Sequence, residues 1–210
     1  LTHPYFRRMA LLGSVHQGGF MAVQTLWAGP WMTQVLGLSI TQASRVLFAF
    51  NLSLMLSYLL LSWWAPRHVS YGSQRGWPAL RVVGIGISLS ILLQLTMLLL
   101  PYAWAWLLWL PFALLVTVST LAQTHVSLSF PSAQAGRVNS AYNLSLFIGA
   151  FSVQWGLGLL IDVFVAKGWD NSTAIRLAWC VYVLAQGFAL FRFVTSKALV
   201  ITPTGTAATQ

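Results

Sequence analysis

The side chains able to carry acid–base, nucleophilic or metal chemistry are few and scattered. The acids are Asp162 and Asp170, with no Glu; the histidines are His3, His16, His68 and His125; the one cysteine is Cys180. Catalytic and structural metal sites need His, Cys, Asp or Glu at ligand spacing. No such cluster occurs, so neither a metal nor another cofactor is expected. Cys180 sits in an apolar run and reads as a small hydrophobe. An intramembrane serine protease would need a Gly-x-Ser-Gly nucleophile and a histidine on a later helix, and the last two apolar stretches contain no histidine. An enzyme is not expected.

Amides and hydroxyls at helical spacing are far more plentiful. Gln17, Gln24 and Trp31 are seven apart, a spacing that drifts by only about 20° per step on an α-helix. Asn51, Met55, Tyr58 and Ser62 share a face. Thr120, Gln123, Thr124 and Ser127 follow the i, i+3, i+4, i+7 pattern, with His125 beside them. Asn139, Asn143, Ala150 and Gln154 form another stripe, flanked by Gly149, Ser152, Gly156 and Gly158, whose small surfaces permit close helix approach. In apolar helices such groups either bond a neighbouring helix or line a polar cavity. The candidate cavity set is Gln17, Gln24, Trp31, Asn51, Tyr58, Gln123, Asn143 and Gln154. Amides and aromatic rings with few charges suit a neutral, amphiphilic or hydroxylated solute.

The elements that carry these stripes follow from composition. Of 210 residues, 58% are hydrophobic and 6% charged, whereas a soluble domain carries roughly 25% charged residues. A water-facing surface cannot be built from this chain, and it reads as an integral membrane protein. The net charge of +9 does not imply nucleic acid, because the basic residues stand singly or in pairs between apolar runs rather than clustering on one face.

A bilayer core takes about 20 helical residues to cross, and six stretches qualify: 9–34, 41–64, 79–100, 103–127, 138–165 and 173–195. They are continuously apolar rather than alternating, which disfavours a β-barrel. The expected organisation is a cytoplasmic lead-in over 1–8, a six-helix all-α transmembrane bundle over 9–197, and a disordered tail over 198–210. The third and sixth spans carry the fewest polar residues and read as peripheral, lipid-facing helices.

Basic residues near span ends set orientation. Arg7, Arg8, Arg67, Arg75, Arg81, Arg137, Arg192 and Lys197 fall on one side, and Arg45, Lys167 and Arg176 on the other. Both termini are therefore expected in the cytoplasm, in a plasma (inner) membrane. Asp162 and Arg45 lie near interfaces, so no carboxylate is expected at mid-membrane, where ionisable groups mark function.

Val35-Leu36-Gly37-Leu38-Ser39 resembles the short external turn after the first helix of a major facilitator superfamily bundle. Pro131 through Ala135-Gly136-Arg137-Val138, Ala141, Asn143 and Gly149 to Gly158-Leu159-Leu160-Ile161-Asp162 resembles that family's fourth-to-fifth helix connection and the Gly-rich helix beyond it. The second-to-third loop departs from the family, because it lacks the usual Asp-Arg pair. The resemblance implies the C-terminal six-helix half of a twelve-helix secondary transporter, moving a small solute by alternating access. Its partner would be the N-terminal half, or a second copy. The Leu1 start suggests a piece of something longer. A non-transporting membrane scaffold or truncated product stays open as an alternative, while a channel lacks its ring of charges or carbonyl filter.

Overall fold

The computed structural model describes residues 3–72 and 76–196. Arg75, Lys197 and the tail over 198–210 lie outside the described residues. The structure is all-α, apart from a two-residue parallel pairing of Val69–Ser70 with Trp77–Pro78.

The first helical run, α1, spans residues 4–35 without a break, but it is not uniformly α. Five-residue π turns at Ser14–Gly18, Val23–Trp27 and Trp31–Val35 alternate with α segments. Pro30 has no N–H to give the ladder. The Thr25 and Thr33 hydroxyls bond back to the Met21 and Gly29 carbonyls at 2.7 and 3.1 Å, a competition that bends helices. The run starts at Pro4, where a missing N–H costs nothing. The segment expected as a lead-in is therefore helical from residue 4, with Tyr5 and Phe6 buried.

Helix α2, Ile40–His68, opens on a capping box in which Ser39 and Gln42 satisfy each other's backbone N–H groups. It continues past the expected end, through Pro66. Pro66 has no N–H for the Ser62 carbonyl. Beyond it the Arg67 guanidinium bonds back to the Trp63 carbonyl, His68 Nδ1 donates to the Trp64 carbonyl at 3.0 Å, and the Ala65 carbonyl accepts the Val69 N–H. Helix α3 is Ala79–Leu99.

Helix α4, Ala103–Leu128, enters through a 3₁₀ turn and breaks at residues 118–119. The Thr117, Ser119 and Thr120 hydroxyls each bond a carbonyl three residues back, at 2.7–2.8 Å. Helix α5 is Ala135–Ala166 and α6 is Asn171–Thr195, with Gly168 at φ +90° in the turn between them. Five elements, α2 to α6, are long and apolar enough to cross a bilayer. These helices and the composition fit a membrane protein.

Much of the packing repeats after three helices, although α5 packs on α6 without a comparable contact between α2 and α3. Helix α1 packs on α5 as α4 packs on α2, and α1 packs on α6 as α4 packs on α3, while α3 and α6 pack on each other. Two apolar cores result. One joins Trp31, Phe50, Trp109 and Trp179; the other joins Met9, Leu12, Tyr142 and Phe193. The first is an aromatic chain, with ring centroids 4.5 Å apart for Trp31–Trp179, 6.0 Å for Trp109–Trp179 and 5.2 Å for Phe50–Trp109. Helices α3 and α6 turn apolar residues such as Leu92 and Phe188 outward, yet they are more deeply packed than α2 and α5. Those two are the least covered, with 28% and 17% of their most apolar windows buried.

Candidate functional site

Two amide pairs join helices at the bundle surface. Gln24 on α1 donates through Nε2 to Asn51 Oδ1 on α2 at 2.9 Å. Gln123 on α4 donates in the same way to Asn143 Oδ1 on α5, also at 2.9 Å. The second pair is extended by Ser127, whose hydroxyl bonds Asn139. Asn51 spends a further donor on the Leu47 carbonyl at 2.8 Å. Four of the eight sequence candidates are thus brought together, as two pairs and not as one cluster.

The remaining candidates separate. Gln154 projects from α5, and its backbone carbonyl accepts the Trp27 indole N–H at 3.2 Å. Tyr58 is exposed on α2. Gln17 is half-buried, with Oε1 unpartnered. Trp31 is only 1% exposed and belongs to the aromatic core, so it lines no open surface. The seven-residue spacing assumes α geometry throughout, whereas each π turn holds its residues in a wider i to i+5 loop and shifts the phase. After two such turns the stripe has rotated, and Trp31 faces Trp179.

Between the far half of α1 and α5 lies an open groove of about 550 Å³, lined by Trp27, Phe151, Gln154, Trp155 and Asp162 among others. The Phe151 and Trp155 rings stack at 6.1 Å. A flat, partly polar solute matches these walls: rings to stack on, one amide to bond, one carboxylate at the margin. Asp162, set aside in the sequence as interfacial, is part of this groove.

No family model, curated protein or solved structure matches this chain.

Apart from Asp162, no acid–base side chain among the described residues lines the groove. Tyr5 and His125 meet at 2.6 Å, and Ser129 Oγ lies 3.1 Å from the same His125 nitrogen. This triangle fastens the start of α1 to the end of α4. Tyr71, in the loop after α2, lies against His125, and burial raises its phenol above the usual range. His16 is buried, with both ring nitrogens unpartnered. Among the described residues, no three His, Cys, Asp or Glu side chains come together as a metal site.

The sequence reading did not anticipate the Gln94–Gln186 contact. Each amide donates to the other at 3.0 Å, and both are buried. The available signal was one glutamine within each of the two spans that carry the fewest polar residues.

Proposed function

We propose that this chain is one six-helix half of a secondary transporter of the major facilitator type, moving a small amphiphilic or hydroxylated solute by alternating access. In this reading α1 is the sixth span. The missing partner is an N-terminal half or a second copy, and the basic end of the bundle faces the cytoplasm across a plasma (inner) membrane.

The observation that carries it is the doubled amide arrangement, in which the asparagine of each pair sits on one of the two least-covered spans, α2 and α5. The Gln-to-Asn bond from first to second helix recurs from fourth to fifth, within a packing scheme much of which repeats after three helices. Inverted three-helix repeats around a midplane site are the architecture of such transporters. Among the described residues the Asn143 amide N–H groups and the Gln154 side-chain amide make no hydrogen bond, and both residues are exposed. This disfavours direct contact with lipid, because an unsatisfied polar group in hydrocarbon is costly. Water in a cavity, or a facing bundle, satisfies them.

A second reading has its own support. Amides that bond each other are what helix-packing glue provides, as a non-transporting scaffold would need. Accessibility separates the two. In a Cys180→Ser background, single cysteines at Gln24, Asn51, Tyr58, Asn143 and Gln154 are challenged in native membranes with a water-soluble maleimide. A transporter cavity predicts labelling along this stripe and none at the outward Leu92 or Phe188. Absence of labelling at all five stripe positions would remove the transport reading.

A further inference from the structure

At the end of the bundle opposite Asp162 and Asp170, the starts of α1 and α3 and the end of α6 enclose a second groove, of about 490 Å³. Its mouth carries two guanidiniums, Arg8 and Arg81, and its walls are apolar, with Gly84, Ile85 and Leu89 on α3 and Val194 on α6. Arg8 lies over the Phe193 ring at 4.6 Å from the centroid, which holds it at the groove. Its Nε is buried without a hydrogen-bond partner. Among the described residues neither arginine has a side-chain carboxylate to pair with, because Asp162 and Asp170 stand at the other end of the helices.

This arrangement has a direction. From Arg81 the groove descends past Gly84 and Ile85 to Leu89, about 12 Å along α3 at helical rise, into a helix apolar enough to cross a membrane. Ser88, the other polar group there, already bonds the Gly84 carbonyl at 2.8 Å. A ligand therefore meets paired positive charge at the membrane surface and hydrocarbon below it. A free phosphate ion would use only the mouth. A zwitterionic lipid would bring its own cation against the two arginines.

We propose that this groove binds an anionic phospholipid, with the phosphodiester between Arg8 and Arg81 and an acyl chain along Gly84, Ile85 and Val194. Gly84 is the position that leaves room for the chain. A β-carbon there would only touch the Phe193 ring, at 3.6 Å, whereas a longer side chain would fill the groove.

The test is native mass spectrometry of the full 210-residue chain in detergent micelles, titrated with phosphatidylglycerol, with phosphatidylcholine, or with inorganic phosphate. Each guanidinium is expected to give about a fivefold preference for phosphatidylglycerol, corresponding to about 1 kcal/mol per basic residue near an anionic headgroup. The double variant R8Q/R81Q loses that preference, while R8K keeps it. Gly84→Leu, with both arginines intact, weakens phosphatidylglycerol binding. Equal binding of the two lipids by the wild type, or a preference that persists in a folded R8Q/R81Q, would overturn the proposal. So would displacement of phosphatidylglycerol by millimolar inorganic phosphate together with an inert Gly84→Leu, which would mark a free-anion site.

Discussion

Gln94 and Gln186 exchange two side-chain hydrogen bonds of 3.0 Å across the buried contact between α3 and α6. Each amide uses its oxygen and one N–H on the other, and Gln94 adds a weaker bond to the Ser90 carbonyl at 3.3 Å. The pair joins the third helix of each three-helix unit, where the two units meet. Reciprocal bonding is what a two-fold relation between the units would require there, since neither partner is only donor or only acceptor.

Breaking this pair from one side is expected to cost more than removing it. Gln94→Leu leaves the Gln186 amide buried without a partner, a penalty of about 1–3 kcal/mol. The double variant Q94L/Q186L replaces both by apolar groups of similar shape and should recover most of the loss. Unfolding titrations in mixed micelles measure all three. Additive losses in the double variant would contradict the coupling.

The glycines of α1, α5 and α6 divide sharply. A β-carbon on Gly18 would overlap the Leu146 carbonyl, and one on Gly149 the Ser14 carbonyl, so the two backbones touch at this crossing. Gly156 and Gly187 have nothing within 4 Å of such a carbon. Gly18→Ala and Gly149→Ala are therefore expected to destabilise by about 1–3 kcal/mol through overpacking. Gly156→Ala and Gly187→Ala should stay within about 0.5 kcal/mol. The same micelle titrations check the contrast.

Much of the architecture was legible because it depends on length and apolarity. The spans beginning at residues 79 and 103 start where the helices do, and Gly37 sits in its turn with positive φ. Helix ends shaped by side-chain chemistry were less legible. Pro4 starts α1 early, and Arg67 and His68 carry α2 beyond Pro66. Type and spacing single out Gln24, Asn51, Gln123 and Asn143 as polar helix positions but do not show that they bond in two pairs, because partner choice depends on how helices pack. Trp31 was misplaced by π turns, which leave no periodic trace in a sequence. Gln94 was passed over because one amide in an apolar helix looks incidental until its partner is known.

Trp31 and Trp155 differ in a way that stability resolves. Both are large aromatic rings on helices that carry the amide stripes. Trp31 is 1% exposed and stacked into the Trp179 and Trp109 chain, whereas Trp155 is 63% exposed beside Phe151. Trp31→Ala is expected to cost about 3–5 kcal/mol, the range for emptying a buried aromatic site. Trp155→Ala should change stability by less than about 0.5 kcal/mol, while weakening any solute that stacks in the groove. A larger stability loss at Trp155 than at Trp31 would reverse their assignment to surface and core.

Asp170 supplies the clearest expected pH dependence. It is the N-cap of α6, and its carboxylate accepts the Thr173 backbone N–H at 3.0 Å. The Thr173 hydroxyl, then that N–H, hold its pKa below the usual carboxylate value. A group whose pKa is lower in the folded chain binds its proton more readily when unfolded, so it stabilises the fold above the unfolded value, near 3.9. That contribution is lost as pH falls from there through the lowered folded value. Asp162 is the only other acidic side chain, so an Asp162→Asn background removes the other side-chain carboxylate. The histidines still take up protons on acid unfolding, and the readout is the difference between Asp170→Asn and its parent. In that background, stability should decline on acidification below about pH 4, and Asp170→Asn should flatten the decline while keeping a cap, because asparagine also accepts from the helix N-terminus. Asp170→Ala should lower stability at neutral pH and flatten the profile as well. An unchanged acid limb in Asp170→Asn would mean that the carboxylate at the start of α6 does not couple its charge to folding.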